Sequence, residues 1–356
     1  MAASVPLWYR SATEYQFRQE QADDIVRTAA YHRKDYCLTV IRFSPWQHLC
    51  IGPSISPSFG GSSNTALDSL QRLPLELLHD VVIRLDMRSL FKFRQVSRRS
   101  REAVDSLKEY QMVALHGLDL FCALLRMGLA TAVSLFDFYI ALCTKSCALC
   151  GEFSGFIFLP TWIRCCFKCL QVAPETQIQT LAAVQKQFHL DKPSVDLLRP
   201  FKTLPGIYSM HQSVQESHIT AVSVYEAMLV LRQIPGVRTQ QTHQDNRALI
   251  CKFNFMGSCS LPYYDRRIGR VEHGLSCAGC QLALERVITG PGARWTYEAR
   301  DKVYAADGFL EHFRWCTRAQ LLWKSSKEGT RQPVEFPEFA RRGGYLIESE
   351  WEREAS

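Results

Sequence analysis

Two pairs of cysteines constrain the fold of this chain more than any other feature of its sequence. Each pair has the spacing C-x2-C, and fifteen residues separate the pairs; the four residues are Cys147, Cys150, Cys166 and Cys169. Two short knuckles at this separation are typical of a tetrahedral zinc site. Because four protein ligands close the coordination sphere, the spacing predicts a structural zinc ion rather than a hydrolytic one.

The residues around the two pairs predict a small hairpin followed by a helix. The segment 151–160 (GEFSGFIFLP) combines glycines with an apolar run, which favours a β-hairpin between the knuckles. The identity of the ligands leaves two alternatives open at this stage. Cys165 lies beside Cys166, and Cys143 lies four residues before Cys147, so either thiol could replace its neighbour in the quartet.

A second C-x2-C pair, Cys277 and Cys280, predicts a second zinc site. His312 and Cys316 lie four residues apart on a helix predicted over 307–324, so both would project from one face of it. Three cysteines and one histidine would complete a tetrahedral site. The competing interpretation is that this helical pair faces an apolar core. Two further residues are alternative ligands: His273 and Cys259.

Composition limits the compartment and the number of domains. The chain has 356 residues, of which 47% are hydrophobic, enough for two or three domains with real cores. It contains 14 cysteines, and its first residues (MAASVPLWYRSATEYQF) lack the pattern of a signal peptide. We therefore expect metal ligands and free thiols in the cytoplasm or nucleus rather than disulfides. The apolar stretch Leu118–Leu142 is interrupted by charges, which predicts a buried helical segment and no membrane span.

A segment rich in Gly, Pro and Ser, residues 52–66, predicts a flexible linker after the unassigned residues 1–51. Three short helices are predicted beyond it. The first begins near Pro74, and the second and third have Asp86 and Ser97 as N-caps. Three helices in roughly forty residues bury little surface, so such a unit is expected to complete its core against a partner or a neighbouring domain.

These helices resemble the F-box motif over residues 67–110. The resemblance rests on Leu73-Pro74-x-Glu76-Leu77, Val81-Val82-x-x-Leu85, Leu90 and Val96-Ser97-Arg98. F-box segments are three-helix units that dock on the small Skp adaptor of a cullin–RING ubiquitin ligase. The resemblance implies that six residues make the docking contacts: Leu73, Pro74, Leu77, Leu78, Leu90 and Val96.

The cysteine-rich sequence downstream resembles a group of fungal F-box proteins with a Cys-rich central domain. Three segments carry this resemblance: CTKSCALCGEFSGFIFLPTWIRCCFKCL, GLSCAGCQ and FLEHFRWCTRAQLLW. The resemblance implies an adaptor architecture in which a recognition domain, residues 111–324, follows the F-box. It names no target.

The patterns together predict a mainly α-helical chain with small β-hairpins. A three-helix F-box-like unit precedes a zinc-stapled α+β domain, and residues 325–356 are predicted to form an acidic tail. The predicted function is a non-catalytic substrate adaptor that contacts the Skp adaptor, and through it the cullin scaffold, and holds an unidentified protein target. The sequence contains neither H-E-x-x-H nor G-x-S-x-G, which agrees with a chain that performs no bond chemistry.

The alternative function is a zinc-dependent nucleic-acid-binding regulatory protein. Seven Arg or Lys residues lie between Arg84 and Arg101, against one acidic residue, and could form a basic helical face. Between Glu152 and Cys169, however, only Arg164 and Lys168 are basic, whereas a nucleic-acid-binding finger normally displays a richer basic stripe. A nucleic-acid partner is therefore the less favoured interpretation.

Overall fold

The structure is a computed structural model that describes residues 10–55, 73–210, 212–232, 253–287 and 293–344. It is mainly α-helical with short strands, as the sequence predicts. The described residues belong to two compact units. The terminal unit takes its residues from Met1–Cys37, Gly151–Ser154 and Val271–Ser356, and the central unit takes its residues from Leu38–Cys150 and Gly155–Arg270.

Two predicted segments fall partly outside the described residues. Helix α3 (Pro45–Ile55) includes the first residues of the predicted linker 52–66, and the rest of that linker lies outside the described ranges. Of the tail predicted over 325–356, the structure describes residues 325–344, which include α18 (Glu338–Arg341). The last twelve residues lie outside the described ranges.

The three predicted short helices are present in the central unit. They are α4 (Leu75–Val82), α5 (Met87–Val96) and α6 (Arg98–Asp105). The Asp86 carboxylate accepts hydrogen bonds from the backbone N–H groups of Arg88 and Ser89, at 3.1 and 2.9 Å. The Ser97 hydroxyl accepts one from the backbone N–H of Ser100 at 3.1 Å. Both predicted N-caps are confirmed, because each side chain satisfies orphan donors of the first helical turn.

Three further helices, α7 (Lys108–His116), α8 (Leu118–Met127) and α9 (Leu135–Leu142), pack beside these. The turn between α4 and α5 is hydrogen-bonded to the first residues of α9. Ile83 O and Leu85 O accept from the backbone N–H groups of Phe136 and Leu135, each at 3.0 Å. The predicted buried segment Leu118–Leu142 thus contains two helices, α8 and α9. Within the described ranges, no helix is both long and apolar enough to span a membrane.

Arg94 of α5 is completely buried, in contrast to its predicted place on a basic surface. Its guanidinium forms an ion pair with Asp105 of α6, with Nε at 2.6 Å from the carboxylate. It also donates to the backbone carbonyls of Ser54 and Ile55 at the end of α3. One side chain therefore joins α3, α5 and α6, and the basic face contains one cation fewer than the sequence suggested.

Short antiparallel strands complete the central unit. One sheet has the order β3 (Ile163–Cys165), β2 (Phe156–Phe158) and β9 (Ser258–Ser260), with Ile157 opposite both Arg164 and Cys259. A second sheet contains β4 (Ile178–Thr180), β8 (Thr220–Ser223) and β5 (Phe201–Lys202), and β6 (Gly206–Tyr208) pairs with β7 (Ser213–Gln215). The last pair is β10 (Tyr263–Asp265) with β11 (Arg270–Glu272), a strand that begins at the last residue of the central unit. The helices between them are α10 (Phe167–Val172), α11 (Leu181–Phe188), α12 (Lys192–Asp196) and α13 (Val224–Leu231).

The terminal unit combines the two ends of the chain. After α1 (Ala22–Ala29), strand β1 (Ala30–Tyr31) pairs antiparallel with β12 (Ser276–Cys277), which places Ala30 opposite Cys277. Its other helices are α2 (Lys34–Leu38), which ends at the boundary of the unit, α14 (Ala278–Val287), α15 (Ala293–Asp301), α16 (Ala306–Trp315) and α17 (Thr317–Ser325). Residues near the N-terminus, unassigned from the sequence, are therefore integral to this unit.

A buried ion-pair network also joins the ends of the chain in the terminal unit. The Arg33 guanidinium donates to Asp35 at 2.7 Å and to Asp301 at 3.2 Å. The backbone N–H of Lys34 donates to Gly343 O at 2.9 Å. Because the side chains of Arg33 and Asp35 are both almost fully buried, their ion pair is screened little by solvent.

Candidate metal centres and docking surface

The first cysteine quartet is assembled in the central unit. The four Sγ atoms of Cys147, Cys150, Cys166 and Cys169 all lie within 4.8 Å of one another. Cys150 Sγ is 3.6 Å from Cys166 Sγ. Such a group of four side chains could hold one metal ion, with every ligand supplied by the protein.

The hairpin β2–β3 and helix α10 position this quartet. The backbone N–H of Ala148 donates to Arg164 O at 2.9 Å, which fixes the first knuckle against β3. Cys166 follows β3 and caps α10, so that the backbone N–H of Cys169 donates to Cys166 Sγ at 3.4 Å. Gly151, directly after the first knuckle, has φ of 78°, a conformation that glycine adopts without a steric penalty.

The structure brings Cys166, not Cys165, into the quartet. Cys165 is buried in β3, and successive side chains of a strand point to opposite sides. Cys143, the other alternative ligand, also lies outside the group. The repeated C-x2-C spacing thus identified the residues that the structure assembles.

The protonation of the quartet favours a cation at its centre. The hydrogen bond from Cys166 holds the pKa of the Cys147 thiol well below its ordinary value, at about 4. Burial raises the pKa of Cys169 to about 12. Cys147 is therefore a thiolate at neutral pH, while the raised pKa values of Cys166 and Cys169 mean that their ionisation needs a compensating positive charge, as a bound divalent metal would supply.

The second group of four lies inside the terminal unit. The sulfurs of Cys277, Cys280 and Cys316 and a ring nitrogen of His312 lie within 4.8 Å of one another. Cys277 Sγ is 3.8 Å from Cys316 Sγ, and Cys280 Sγ is 3.3 Å from His312 Nε2. The backbone N–H of Cys280 donates to Cys277 Sγ at 3.4 Å, the same contact as in the second knuckle of the first quartet.

The helix predicted over 307–324 is not continuous. It is divided into α16 and α17, and Cys316 is the junction, with φ and ψ of −89° and 98°. His312 and Cys316 meet the knuckle because the chain turns at Cys316, and not because both project from one helical face. The turn directs the thiol towards Cys277 and at the same time lets α17 pack against α14.

The environment of the second group is a tightly packed core. Its three cysteines are at most 1% exposed and pack with Ile25, Phe309, Phe313 and Trp323. Gly279 lies within the knuckle, and a Cβ there would collide with the backbone of Ala319 in α17. Glycine is required here because α14 and α17 approach so closely. The surrounding apolar core and the close contact between α14 and α17 together hold the four ligand atoms near one another.

Burial alone does not decide the charge of these thiols. Burial raises the pKa of Cys277 and Cys280. At Cys316 burial also raises the pKa, but hydrogen bonds from Cys277, Cys280 and His312 outweigh it and lower the pKa well below the ordinary value. The alternative ligands are elsewhere: Cys259 donates to Ile41 O at 3.4 Å, and the His273 ring packs on His32.

Tyr304 contacts His312 at Nδ1, whereas the other ring nitrogen, Nε2, lies beside Cys280 Sγ. The Tyr304 hydroxyl lies 3.3 Å from His312 Nδ1, and the two rings stack with centroids 4.9 Å apart. Tyr304 is itself held by two backbone hydrogen bonds with Leu275 at 2.8 Å, just before the knuckle. A second hydrogen bond of this kind orients a ligating imidazole and selects the nitrogen that faces the metal. The sequence offered no signal for this residue.

We predict that Tyr304→Phe weakens metal binding at the second group by about tenfold, because outer partners of ligating histidines contribute 10–100-fold to metal affinity. The phenyl ring keeps the stacking and loses only the hydroxyl. The measurement is the rate of metal release to a chromogenic chelator, with the first quartet as the internal reference. Unchanged release in Tyr304→Phe would show that the hydroxyl does not position His312.

The six residues that the F-box resemblance implied divide into two sets. Leu73, Leu77 and Val96 are between 36% and 67% exposed, and Pro74 is also exposed. Leu78 and Leu90 are 3% and 0% exposed, because they pack inside the three-helix unit. Val81, which follows Leu77 by one helical turn, is 54% exposed. We call the exposed set Leu73, Pro74, Leu77 and Val81 the α4 stripe.

Comparison with known proteins identifies this region. Residues 70–112 match the F-box domain family. The predicted F-box is thus confirmed, with the match at 70–112 where the sequence predicted 67–110, and the matched segment includes α4, α5, α6 and the start of α7. No curated protein and no solved structure matches the chain.

Proposed function

We propose that this chain, which contains an F-box domain at residues 70–112, is a substrate-recognition adaptor of a cullin–RING ubiquitin ligase. F-box domains bind the Skp adaptor within such ligases, which also contain the cullin scaffold. The cysteine-rich remainder of the chain would hold the protein target. The chain would act by proximity, raising the effective concentration of the target near a ubiquitin-loaded enzyme, without bond chemistry of its own.

The α4 stripe is the observation that supports this proposal best. A soluble domain normally buries leucines of a helix, whereas Leu73, Leu77 and Val81 recur every fourth residue and stay exposed. Their neighbours Leu78 and Leu90 form the internal core of the domain. We assign the contacts with the Skp adaptor to the α4 stripe and Val96, and an internal packing role to the two buried leucines.

We propose zinc as the metal in both groups, with a structural role. Four thiolates, or three thiolates with one imidazole, are donor sets that tetrahedral zinc prefers. Neither set leaves a coordination position for water or substrate, which argues against metal-assisted hydrolysis. The metals would stabilise the recognition region, and we place the protein in the cytoplasm or nucleus, where thiols stay reduced.

Binding of the full-length protein to purified Skp adaptor tests the proposed function. We expect Leu77→Gln, and separately Leu73→Ala with Pro74→Ala, to weaken binding at least about tenfold, because buried apolar anchors dominate interface energies. Isothermal titration calorimetry measures the affinity. These side chains are exposed in the free chain, so thermal unfolding should stay close to that of the wild type.

The matched control is Leu229→Gln, since Leu229 is a leucine of α13 that is also exposed. It should bind the adaptor like the wild type. Absence of adaptor binding by the wild-type protein would contradict the proposed function. Affinity purification with mass spectrometry from cells then identifies the target together with the adaptor, and salt-sensitive binding of DNA or RNA instead would favour the nucleic-acid alternative.

A further inference from the structure

We propose that the adaptor-binding surface extends beyond the F-box domain onto helix α9, through Phe136 and Ile140. This inference rests on the proposed function, since the occupant is the same Skp adaptor. It adds residues from outside the matched segment 70–112 to the contact surface. The surface would then be specific to this chain rather than common to F-box domains.

The first observation is the direct connection between α9 and the end of α4. The backbone N–H of Phe136 donates to Ile83 O at 3.0 Å, and Ile83 is two residues beyond Val81 of the α4 stripe. A second bond, from Leu135 N–H to Leu85 O, also at 3.0 Å, keeps the two segments in register. The start of α9 is therefore an immediate neighbour of the docking helix.

The second observation is the exposure pattern of α9. Phe136 and Ile140 are 49% and 39% exposed, and their spacing of four residues places them on one face. The opposite face is buried through Leu135, Phe138 and Leu142. An apolar pair on the solvent side of an otherwise well-packed helix indicates an interaction surface when it adjoins other exposed apolar residues.

The third observation is the rigidity of this helix. Ser134 and Asp137 form a reciprocal capping box, with the Ser134 hydroxyl donating to Asp137 at 2.6 Å and accepting from its backbone N–H at 3.0 Å. Phe138 packs edge-to-face on Trp162, with ring centroids 5.5 Å apart. The helix that carries the two exposed side chains is thus ordered before binding, which reduces the backbone entropy lost on association.

The area that a stable protein–protein interface buries also favours the Skp adaptor as the partner of α9. A standard interface buries about 800 Å² on each side. The α4 stripe offers four apolar side chains, and Phe136, which is 49% exposed, would add about half of the 150–250 Å² that a fully buried phenylalanine covers. Contact with α9 lets one rigid partner cover both surfaces at once. Continuity with the α4 stripe therefore favours the adaptor over a separate ligand as the occupant.

The test uses the full-length protein and purified Skp adaptor, with three variants. They are Phe136→Gln with Ile140→Gln, Leu77→Gln as the F-box reference, and Leu197→Gln with Leu229→Gln as a control on exposed leucines that belong to neither α4 nor α9. We expect the α9 double variant to bind about tenfold more weakly and the control to bind normally. Circular dichroism verifies that every variant is folded.

The possible results separate this inference from the proposed function. If Leu77→Gln weakens binding and the α9 variant binds like the wild type, α9 is no part of the surface and the F-box function stands. If the wild-type protein binds no adaptor, the proposed function itself is wrong. If the control weakens binding as much as the α9 variant, the effect is not local and the inference fails. Loss of self-association in the α9 variant, with adaptor affinity unchanged, would make a second copy the occupant and also overturn it.

Discussion

Replacement of Cys280 and Cys316 by alanine is expected to remove one metal ion and to unfold the terminal unit. The bound metal count should fall from two zinc ions per chain to one by elemental analysis. A structural zinc site contributes about 10–16 kcal/mol of binding free energy, which is comparable to the whole stability of a domain. The site lies in the core, beside Phe313 and Trp323, so its loss exposes that core rather than a surface loop.

Limited proteolysis locates the effect. New cleavage is expected within the described residues of the terminal unit, 10–37 and 271–344, while Skp adaptor binding through the central unit is retained. Cys122→Ala is the control, because Cys122 is a buried cysteine of α8 that belongs to neither group. The outcome that contradicts the second site is a wild-type protein with a single zinc ion, or a double variant that keeps two.

Replacement of Arg94 by Met is expected to reduce the free energy of unfolding of the central unit by about 3–5 kcal/mol. Removing one partner of a buried ion pair has an effect of this size because the other charge is left uncompensated. Here the Asp105 carboxylate would lose both its bonds to the guanidinium, and the carbonyls of Ser54 and Ile55 would lose their donors. Urea unfolding monitored by fluorescence measures the change.

Two companion variants make the Arg94 result specific. Arg99→Met, at an exposed position of α6, should change the unfolding free energy by less than about 0.5 kcal/mol. Adding Asp105→Leu to Arg94→Met removes both charges and should recover part of the loss. A destabilisation equal in Arg94→Met and Arg99→Met would show that the buried pair makes no special contribution.

Local signals predicted the parts of this fold that depend on neighbours in sequence. Asp86 and Ser97 were identifiable as N-caps because capping involves residues two or three positions away. The first quartet was identifiable because its four cysteines lie within one short segment, so their spacing alone indicates that they can meet. The repeated spacing favoured Cys166 over Cys165, and the structure brings Cys166 into the quartet.

Features that depend on distant residues were not predictable in the same way. The charge pattern placed Arg94 on a basic surface. Its burial could not be predicted, because two of its acceptors, the carbonyls of Ser54 and Ile55, lie about forty residues earlier in the chain. Periodicity continued through Cys316, so the helix break there was missed. Gly279 and Tyr304 are explained only by the packing of α17 and by the orientation of His312.

The pairing of β1 with β12 has a consequence for the order in which the protein forms during synthesis. The first quartet is complete in sequence once Cys169 has been made, so it can bind metal while the rest of the chain is still being translated. The second requires Cys316, and β1 has no strand partner until Ser276 and Cys277 follow, about 245 residues later. The N-terminal segment must wait for almost the entire chain, so we expect truncated translation products to carry the first metal only.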